Sequence, residues 1–278
     1  MTSVVRASFL ISIIFLSACS SDEISNYSGE IYGTSYIIKT TGKPSNDLKE
    51  KIDAELNRID YVFSTYKETS LISKINRNED VIRTEEFTYV LNLANQIAQD
   101  SGGAFDPYDE NGLDFSGIAK GYAIDRIGHL LENNAIKNYF IEIGGEVRTL
   151  GTKYGDNWVF AVETPSMGEK TPYIAFKTPK KGISVATSGE YREPNHIWGD
   201  GPRNILSTTV AAEDAATADA WATALYVLGK EQGLKLANEN DLAVIFIDED
   251  GESIQSSSWS MIQPVSYTHL RAHETMAH

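Results

Sequence analysis

Cysteines, basic side chains and long apolar runs are scarce in this 278-residue sequence, and each scarcity excludes a class of protein. A single cysteine cannot build an internal disulfide framework or a zinc or iron–sulfur site made of several cysteines. Only 24 lysines and arginines face 39 aspartates and glutamates, and the net charge of −15 argues against nucleic-acid binding, which needs clustered basic residues. The hydrophobic fraction of 41% is typical of a globular chain, so extensive disorder and multiple membrane spans are excluded.

An apolar run of ten residues, 7–16 (ASFLISIIFL), lies near the N-terminus. A membrane span needs roughly 20 apolar residues, so this run suits the hydrophobic region of a signal peptide instead. It ends in Leu-Ser-Ala-Cys19, which resembles the lipobox of bacterial lipoproteins, although an incidental cysteine in an ordinary signal peptide is the alternative. We therefore predict a signal peptide over 1–18, lipidation of Cys19, and a polar tether over 19–29.

The residues after Cys19 bear on where the mature chain is held. Ser20 and Ser21 follow, and no aspartate stands directly after the cysteine. In bacteria with two membranes this pattern favours the outer membrane over retention at the inner one. We expect a lipid-anchored protein that faces the periplasm.

The C-terminal residues 264–278 show no periodic pattern, although they hold three of the five histidines. They resemble translated sequencing-adapter sequence, so we predict a non-native or disordered tail and exclude it from the chemistry. The remaining residues, 30–263, are predicted to form one catalytic domain.

Within 30–263, strand-like segments follow one another and helices intervene irregularly, which predicts an α+β fold with antiparallel sheets and packed helices. No Walker loop, and no GxGxxG after a strand, is present. Strands are predicted at 30–40, 139–143, 146–150, 158–163, 173–176, 182–186, 208–212 and 242–247, and helices at 46–61, 70–77, 84–101, 118–133, 217–228 and 234–238.

Two segments combine glycines with polar groups where backbone can approach a ligand. Residues 101–107 (SGGAFDP) follow a helix, and their two glycines allow close approach, but taken alone they are more typical of a helix end followed by a turn. Residues 114–122 (DFSGIAKGY) enter a helix for which Ser116 is the expected N-cap. Free N–H groups there suit phosphate and Lys120 adds charge, but a capped helix with a solvated lysine is the alternative.

Two further segments carry proton-transfer and metal-binding residue types. Histidine is the side chain best matched to proton transfer near neutral pH, so His196 in a loop after a hydroxyl-rich turn is a candidate base or a merely solvated residue. Asp219 and Thr223 are four apart on a predicted helix and share a face. Their oxygens suit Mg²⁺, although hydrogen bonds to backbone explain them too.

The order of these segments resembles the ApbE family, the exported FAD:protein FMN transferases, which are often lipoproteins. The resemblance covers nearly the whole mature chain. The matching pieces are residues 33–34 (GT), 64–66 (STY), 102–106 (GGAFD), 116–122 (SGIAKGY), 144–148 (GGEVR), 187–191 (TSGEY), 196–197 (HI) and 218–225 (ADAWATAL).

The resemblance implies a T-fold-related α+β architecture with FAD in a cleft and Mg²⁺ near its pyrophosphate. The implied reaction transfers the FMN half of FAD to a serine or threonine hydroxyl of an acceptor protein and releases AMP. Subunits of quinone reductases or related electron-transfer complexes are the implied kind of acceptor. A hydrolase that splits FAD into FMN and AMP, and a non-catalytic FAD-binding lipoprotein, are the alternatives.

Residue roles are implied by the same resemblance. His196 would be the base that takes the acceptor's proton. The implied metal ligands are the Asp219 carboxylate, the Thr223 hydroxyl and backbone carbonyls near Gly117 and Ala222. The implied FAD contacts are Tyr32, Tyr66, Ala104, Phe105, Asp106, Asp114, Lys120 and the backbone at Trp198.

The chain departs from the family pattern in two places. Only residues 107–113 separate the Phe-Asp motif from the Ser-Gly-Ile-Ala-Lys helix, where relatives have some tens of residues. After His196 the chain reads Ile-Trp-Gly-Asp-Gly-Pro instead of Ile-Asp-Pro-x-Thr-Gly. These departures lie at one wall of the expected cleft and at the expected acceptor-binding loop.

Overall fold

The computed structural model describes residues 23–168 and 171–265, so Cys19, the predicted signal peptide and most of the predicted tail lie outside it. Five α-helices and one 3₁₀ helix occur in the described part. They are α1 Leu48–Phe63, α2 Leu71–Asn76, α3 Glu85–Asp100, α4 Ser116–Asn133, α5 Ala215–Glu239 and the 3₁₀ helix Ser257–Met261. None of these helices is both long enough and apolar enough to cross a membrane.

The strands of the described residues form one large sheet and three two-stranded hairpins. They are β1 Ile24–Ile31, β2 Thr34–Thr41, β3 Tyr108–Asp109, β4 Gly112–Leu113, β5 Tyr139–Ile143, β6 Glu146–Leu150, β7 Thr152–Lys153, β8 Asp156–Asn157, β9 Val159–Glu163, β10 Pro172–Lys177, β11 Ile183–Ser188, β12 Ile205–Ala212, β13 Ala243–Asp248 and β14 Ser253–Gln255. Eight of these strands pair in the order β1-β2-β5-β6-β11-β12-β13-β14, every neighbouring pair antiparallel. The predicted α+β class with antiparallel sheets is therefore confirmed.

Both predicted domain limits need correction. Residues 24–29 of the predicted tether belong to β1, which pairs with β2 along its whole length and turns back at Tyr32 and Gly33. Backbone pairing with β2 satisfies the polar groups of this segment, so the domain begins before residue 30. At the other end, Val265 donates its backbone N–H to the Ala175 carbonyl at 2.8 Å, so the domain extends past residue 263.

The middle of the sheet is covered on both faces. Successive side chains of a strand point to opposite sides, so one strand contributes to two cores. On β13, Val244 and Phe246 enter the core shared with the helices. Ile245 and Ile247 enter a second core, which the β9–β10 hairpin and the 3₁₀ helix cover. The sheet thus lies between a helical layer and a smaller layer of hairpin and 3₁₀ helix.

Helices α4 and α5 pack antiparallel and unusually closely, because α4 carries glycines where α5 crosses. A Cβ atom placed on Gly121 would lie 2.2 Å from the Ala215 carbonyl oxygen. One placed on Gly117 would lie 3.1 Å from the Thr223 hydroxyl oxygen. The spacing of four residues puts both glycines on one face of α4, and backbone there approaches side chains of α5 directly.

Replacing Gly121 by alanine is expected to lower the free energy of unfolding by about 2 kcal/mol or more, because overpacking outweighs the better helix propensity of alanine. Thermal or urea unfolding of the variant measures the change. Asn133→Ala, an exposed substitution on the same helix, is the control. Equal stability of wild type and Gly121→Ala would contradict the close packing of the two helices.

Candidate functional site

The close crossing of α4 and α5 brings together three of the four residues predicted to bind a metal. The backbone N–H of Gly121 donates to Asp219 Oδ2 at 3.0 Å. Thr223, one turn further along α5, faces Gly117, and its hydroxyl lies 3.2 Å from the Ser188 hydroxyl at the end of β11. Ala222 is fully buried on the same helix. The Asp219 carboxylate and the Thr223 hydroxyl are therefore one turn apart on α5, and the Thr223 hydroxyl is next to that of Ser188.

Asp125 sets the position of α5 in this arrangement. Its two carboxylate oxygens accept hydrogen bonds from the backbone N–H groups of Ala215 and Ala216, both at 2.9 Å. Arg148 on β6 pairs with the same carboxylate at 2.6 Å. This buried contact fixes the start of α5 against α4, so that the side chain of Asp219 is held at one depth in the site.

Three charged side chains, Lys120, Glu146 and Asp219, lie close together at the predicted metal site. Glu146, 4% exposed at the start of β6, pairs with Lys120 at 3.6 Å, and Asp219 is 3% exposed. Glu146 and then Asp219 raise the pKa of Lys120, although burial works in the opposite direction. Burial raises the pKa of Asp219 and of Glu146, and Lys120 opposes both shifts. Lys120 therefore stays charged and partly compensates two buried carboxylates.

The first turn of α4 differs from the prediction at its cap. Ser116 is the first helical residue rather than the N-cap; the cap position is Phe115, which makes no side-chain hydrogen bond. Asp114 does the capping, because its Oδ1 accepts the Ser116 backbone N–H at 2.7 Å. The aspartate, two residues upstream of the predicted cap, thus satisfies one backbone N–H at the start of the helix. Its predicted contact with FAD stays a prediction.

The Gly-Gly-Ala-Phe-Asp segment and the loop after β11 meet at Asp106. Trp198 donates its indole N–H to the Asp106 carbonyl oxygen at 3.0 Å. Phe105 is buried with its ring against Gly117, and Ala104 is buried beside it. Four of the residues predicted to contact FAD therefore lie between this loop and the start of α4. They are Ala104, Phe105, Asp106 and Trp198.

The shortened segment after Asp106 is a compact hairpin, β3–β4. Asn76, at the end of α2, binds this hairpin through both polar atoms of its side chain. Its Oδ1 accepts the Leu113 N–H at 2.9 Å, and its Nδ2 donates to the Leu113 carbonyl at 2.8 Å. Asp106 Oδ1 accepts the Tyr108 N–H at 3.0 Å. The trimmed wall is thus held by α2 rather than by the longer segment that the family pattern has there.

The two predicted FAD-binding tyrosines lie in different environments. Tyr32 takes a left-handed backbone conformation at the β1–β2 turn, and its hydroxyl donates to the Leu56 carbonyl at 3.0 Å. It lines a cavity of about 610 Å³, which also includes Thr34 and the Asp60–Lys67 ion pair. Tyr66 is 95% exposed. No contact in the described part of the chain joins Tyr66 to the α4–α5 site, so its role stays a prediction.

His196 lies on the exposed loop between β11 and β12. Its Nδ1 lies 2.5 Å from the Glu193 carbonyl oxygen, which can only accept, so Nδ1 carries the proton and Nε2 carries the free lone pair. Glu190 holds the loop to α5, because it accepts the Ile197 N–H at 3.3 Å and the Tyr226 hydroxyl at 3.4 Å. Among the described residues, no hydrogen bond joins His196 to Asp219, Thr223 or Lys120.

The oxygen donors fit a hard divalent cation, but protein side chains supply only some of the ligands it would need. In the ranges that the structure covers, no three His, Cys, Asp or Glu side chains lie close enough to hold a metal ion. Asp219 and Thr223 contribute a carboxylate and a hydroxyl, the ligand types that Mg²⁺ accepts, and Mg²⁺ commonly completes its shell with substrate phosphates and waters. The residues present therefore fit Mg²⁺ bound jointly with a phosphate-bearing substrate.

Glu146, Ser188 and Glu190 belong to the site although their motifs gave them no assigned role. The signal for Glu146 was available: a strand with one buried apolar face carries Glu146 and Arg148 two residues apart. Because side chains alternate between the two faces of a strand, Glu146 and Arg148 lie on the same face of β6, the one that faces the helices. Ser188 and Glu190 stand at a strand end and in a loop, where no periodicity predicts their direction.

Comparison with known proteins supports the resemblance of the motifs to the ApbE family. The ApbE family model matches residues 32–110 and 108–246. An FAD:protein FMN transferase of Vibrio cholerae serotype O1 is 26% identical over 327 residues, which cover 92% of this chain and 97% of the relative. An Escherichia coli K12 protein of the same name is 26% identical and covers 84% of this chain and 87% of its own length.

Solved structures agree with the sequence comparison. The flavin transferase ApbE from Vibrio cholerae superposes with a TM-score of 0.76 at 27% identity, over 86% of this chain and 99% of the other. The ApbE protein from Thermotoga maritima gives a TM-score of 0.75 at 26% identity, over 87% and 99%. Fold, ordered motifs and the family match all lead to one conclusion: this chain is a member of the ApbE family.

Proposed function

We propose that the chain transfers the FMN moiety of FAD to a serine or threonine hydroxyl of an acceptor protein, with Mg²⁺ bound at Asp219 and Thr223, and releases AMP. The observation that carries this proposal is the α4–α5 crossing, which collects Asp219, Thr223, Gly117 and Lys120 in one place. The names of the relatives support flavin transfer as the type of reaction.

The chain's own groups provide binding for the substrate's pyrophosphate. Asp114 accepts the Ser116 N–H at the start of α4, and Lys120 stands one turn into the helix with its side chain partly exposed, at 33%. The Asp219 carboxylate and the Thr223 hydroxyl would hold Mg²⁺ there. Bound Mg²⁺ would neutralise charge that develops on the phosphoryl oxygens during transfer.

The histidine loop provides the proton acceptor in this proposal. The acceptor hydroxyl oxygen forms a bond to the FMN phosphorus, and the bond between that phosphorus and the oxygen bridging to AMP breaks. The hydroxyl proton passes to His196 Nε2, whose lone pair is free because Nδ1 donates to Glu193. AMP leaves with the bridging oxygen, so atoms and charge balance.

Incubation of the purified protein with FAD, Mg²⁺ and a flavin-acceptor domain tests the proposal. Mass spectrometry of the acceptor and chromatography of the nucleotides are the readouts. Covalent FMN on the acceptor together with equimolar AMP is the expected result. Free FMN and AMP with an unlabelled acceptor would establish an FAD hydrolase, and no AMP at all would establish a flavin-binding protein without catalysis.

We also propose that the chain works at the periplasmic face of a bacterial membrane, held by lipid on Cys19, with the outer membrane favoured. The apolar run that ends in Leu-Ser-Ala-Cys19 supports this location. Subunits of quinone reductases or related electron-transfer complexes are the kind of acceptor that the family resemblance implies.

Replacing Cys19 by serine is expected to leave the protein unprocessed or to release it from the membrane fraction. Serine lacks the sulfur that the lipid is joined to, while its size is nearly the same. Fractionation and intact-mass measurement of the expressed protein check this. A Cys19→Ser variant that fractionates with membranes at mature length would contradict the lipoprotein proposal.

A further inference from the structure

Glu146 is a buried carboxylate to which the proposed mechanism assigns no role. It is 4% exposed, and its Oε2 atom has no hydrogen-bond partner among the described residues. That oxygen faces the Gly144 turn: a Cβ atom on Gly144 would lie 3.5 Å from it and 2.9 Å from Thr34. A charged oxygen left without donors at this depth is costly unless a nearby cation compensates it.

Lys120 is that cation. Its Nζ lies 3.6 Å from Glu146 Oε1, and in the described part of the chain no ion pair joins it to Asp219. Asp219 is nevertheless near enough to raise the pKa of Lys120, after Glu146 as the larger cause. One ammonium thus stands between two buried carboxylates and is paired with the one that the metal does not need.

The backbone enforces this choice of partner. Asp219 is held from the other side, since its Oδ2 accepts the Gly121 N–H at 3.0 Å. Glu146 projects from β6 to the same face as Arg148, which pairs with Asp125 of α4 at 2.6 Å. The sheet therefore presents the glutamate to α4 at the level of Lys120, one turn before the level of Asp125.

We propose that Glu146 is a positioning residue: it holds the Lys120 ammonium away from Asp219 and so keeps the Asp219 carboxylate available to a divalent cation. This inference rests on the proposed metal site at Asp219 and Thr223. Lysine has a flexible four-carbon stem, so its ammonium can reorient to another carboxylate nearby. With a neutral residue at 146, Asp219 becomes the remaining buried anion close to Lys120.

A lysine–aspartate pair formed in that way competes with the cation for the same oxygens. Attraction between opposite charges at close range is stronger in a partly buried site than in water, so the competing pair is strong. Loss of one negative charge would also weaken cation binding by itself. A double-mutant cycle separates the two effects, because simple charge loss acts equally whether or not Lys120 is present.

The experiment measures Mn²⁺ binding, in place of Mg²⁺, to the full mature chain saturated with FAD and without acceptor. Free Mn²⁺ is followed by its electron paramagnetic resonance signal in a mildly alkaline buffer. The variants are Glu146→Gln, Lys120→Gln and the pair together, with exposed Glu50→Gln as the control for charge and Asp219→Asn as the control for the site.

Glu146→Gln is expected to raise the Kd for Mn²⁺ about tenfold in the presence of Lys120, and less than about threefold in the Lys120→Gln background. Equal effects in both backgrounds, or no effect in either, would overturn the positioning role. If Asp219→Asn binds Mn²⁺ like wild type, the proposed metal site itself fails, whatever Glu146 does. Unfolding curves of each variant exclude loss of fold as the cause.

Discussion

Replacing Asp219 by asparagine is expected to abolish FMN transfer at saturating FAD while leaving FAD bound. Asparagine keeps the shape and can still accept the Gly121 N–H, so the α4–α5 crossing stays intact. It loses the charge that a divalent cation needs. Because metal-assisted stabilisation of phosphoryl charge is worth several kcal/mol, the transfer rate should fall by at least ~10³-fold.

Two further arms make this result specific. Thr223→Val removes the second side-chain oxygen without changing size and should also slow transfer. Exposed Asp241→Asn, on a loop after α5, makes the same charge change elsewhere and should leave transfer unaffected. FAD binding is read from flavin fluorescence and transfer from acceptor mass. Wild-type rates in Asp219→Asn, or in wild type with excess EDTA, would contradict a metal site at this position.

The regular parts of the fold were predictable because their apolar residues repeat with the periods of helix and strand. The helix α3 begins at Glu85 after its cap Thr84, one residue later than predicted, and the β5–β6 hairpin turns at Gly144 and Gly145, between the two predicted strands. In α5, Gly229 interrupts the helix with a positive φ, where the sequence indicated a stop. These signals are local, so no knowledge of tertiary contacts is needed to interpret them.

The strand β1 was not predictable from its own residues. Residues 24–29 (ISNYSG) are polar and poor in apolar alternation, so the sequence predicts a tether there and a strand only from residue 30. What makes it a strand is the exposed edge of β2, whose N–H and C=O groups it satisfies. The hairpins β3–β4 and β7–β8 were not predicted either, because a strand of two residues is too short to show an alternating pattern.

In the candidate site, the sequence predicted which helix face carries Asp219 and Thr223 but not what lies opposite. The i,i+4 spacing is a property of one helix, whereas the pairing of Gly117 with Thr223 depends on how two helices cross. Family resemblance supplied that link in advance. It did not supply the pairing of Glu146 with Lys120, since charge partners are fixed by tertiary packing.

The loop that carries His196 is described partly by its sequence and partly by its tertiary contacts. Its sequence departs from the family pattern after the histidine, yet Glu190 ties the loop to α5 and Trp198 ties it to Asp106. The loop is therefore anchored at Ile197 and Trp198, directly after the histidine. Anchoring of this kind can hold a histidine in place although the residues after it have changed, which is why His196 remains the base in the proposed reaction.

Replacing His196 by asparagine is expected to cut FMN transfer by about 10²–10⁴-fold, the usual value of general-base assistance, with FAD affinity unchanged. The asparagine amide can still donate to the Glu193 carbonyl, as Nδ1 does, so the loop keeps its contact while the base at Nε2 is lost. His129→Ala is the control, because that histidine is exposed on α4 and lines a separate cavity with Lys51 and Glu55.

The readouts are single-turnover transfer to the acceptor and, in parallel, release of FMN into water. A base that serves the acceptor hydroxyl should lower the first more than the second when it is removed, because water can reach the phosphorus without the loop's help. Equal transfer rates in wild type and His196→Asn would remove the histidine from the mechanism. The base would then have to come from the substituted part of the loop, where Asp200 is the next titratable side chain after His196.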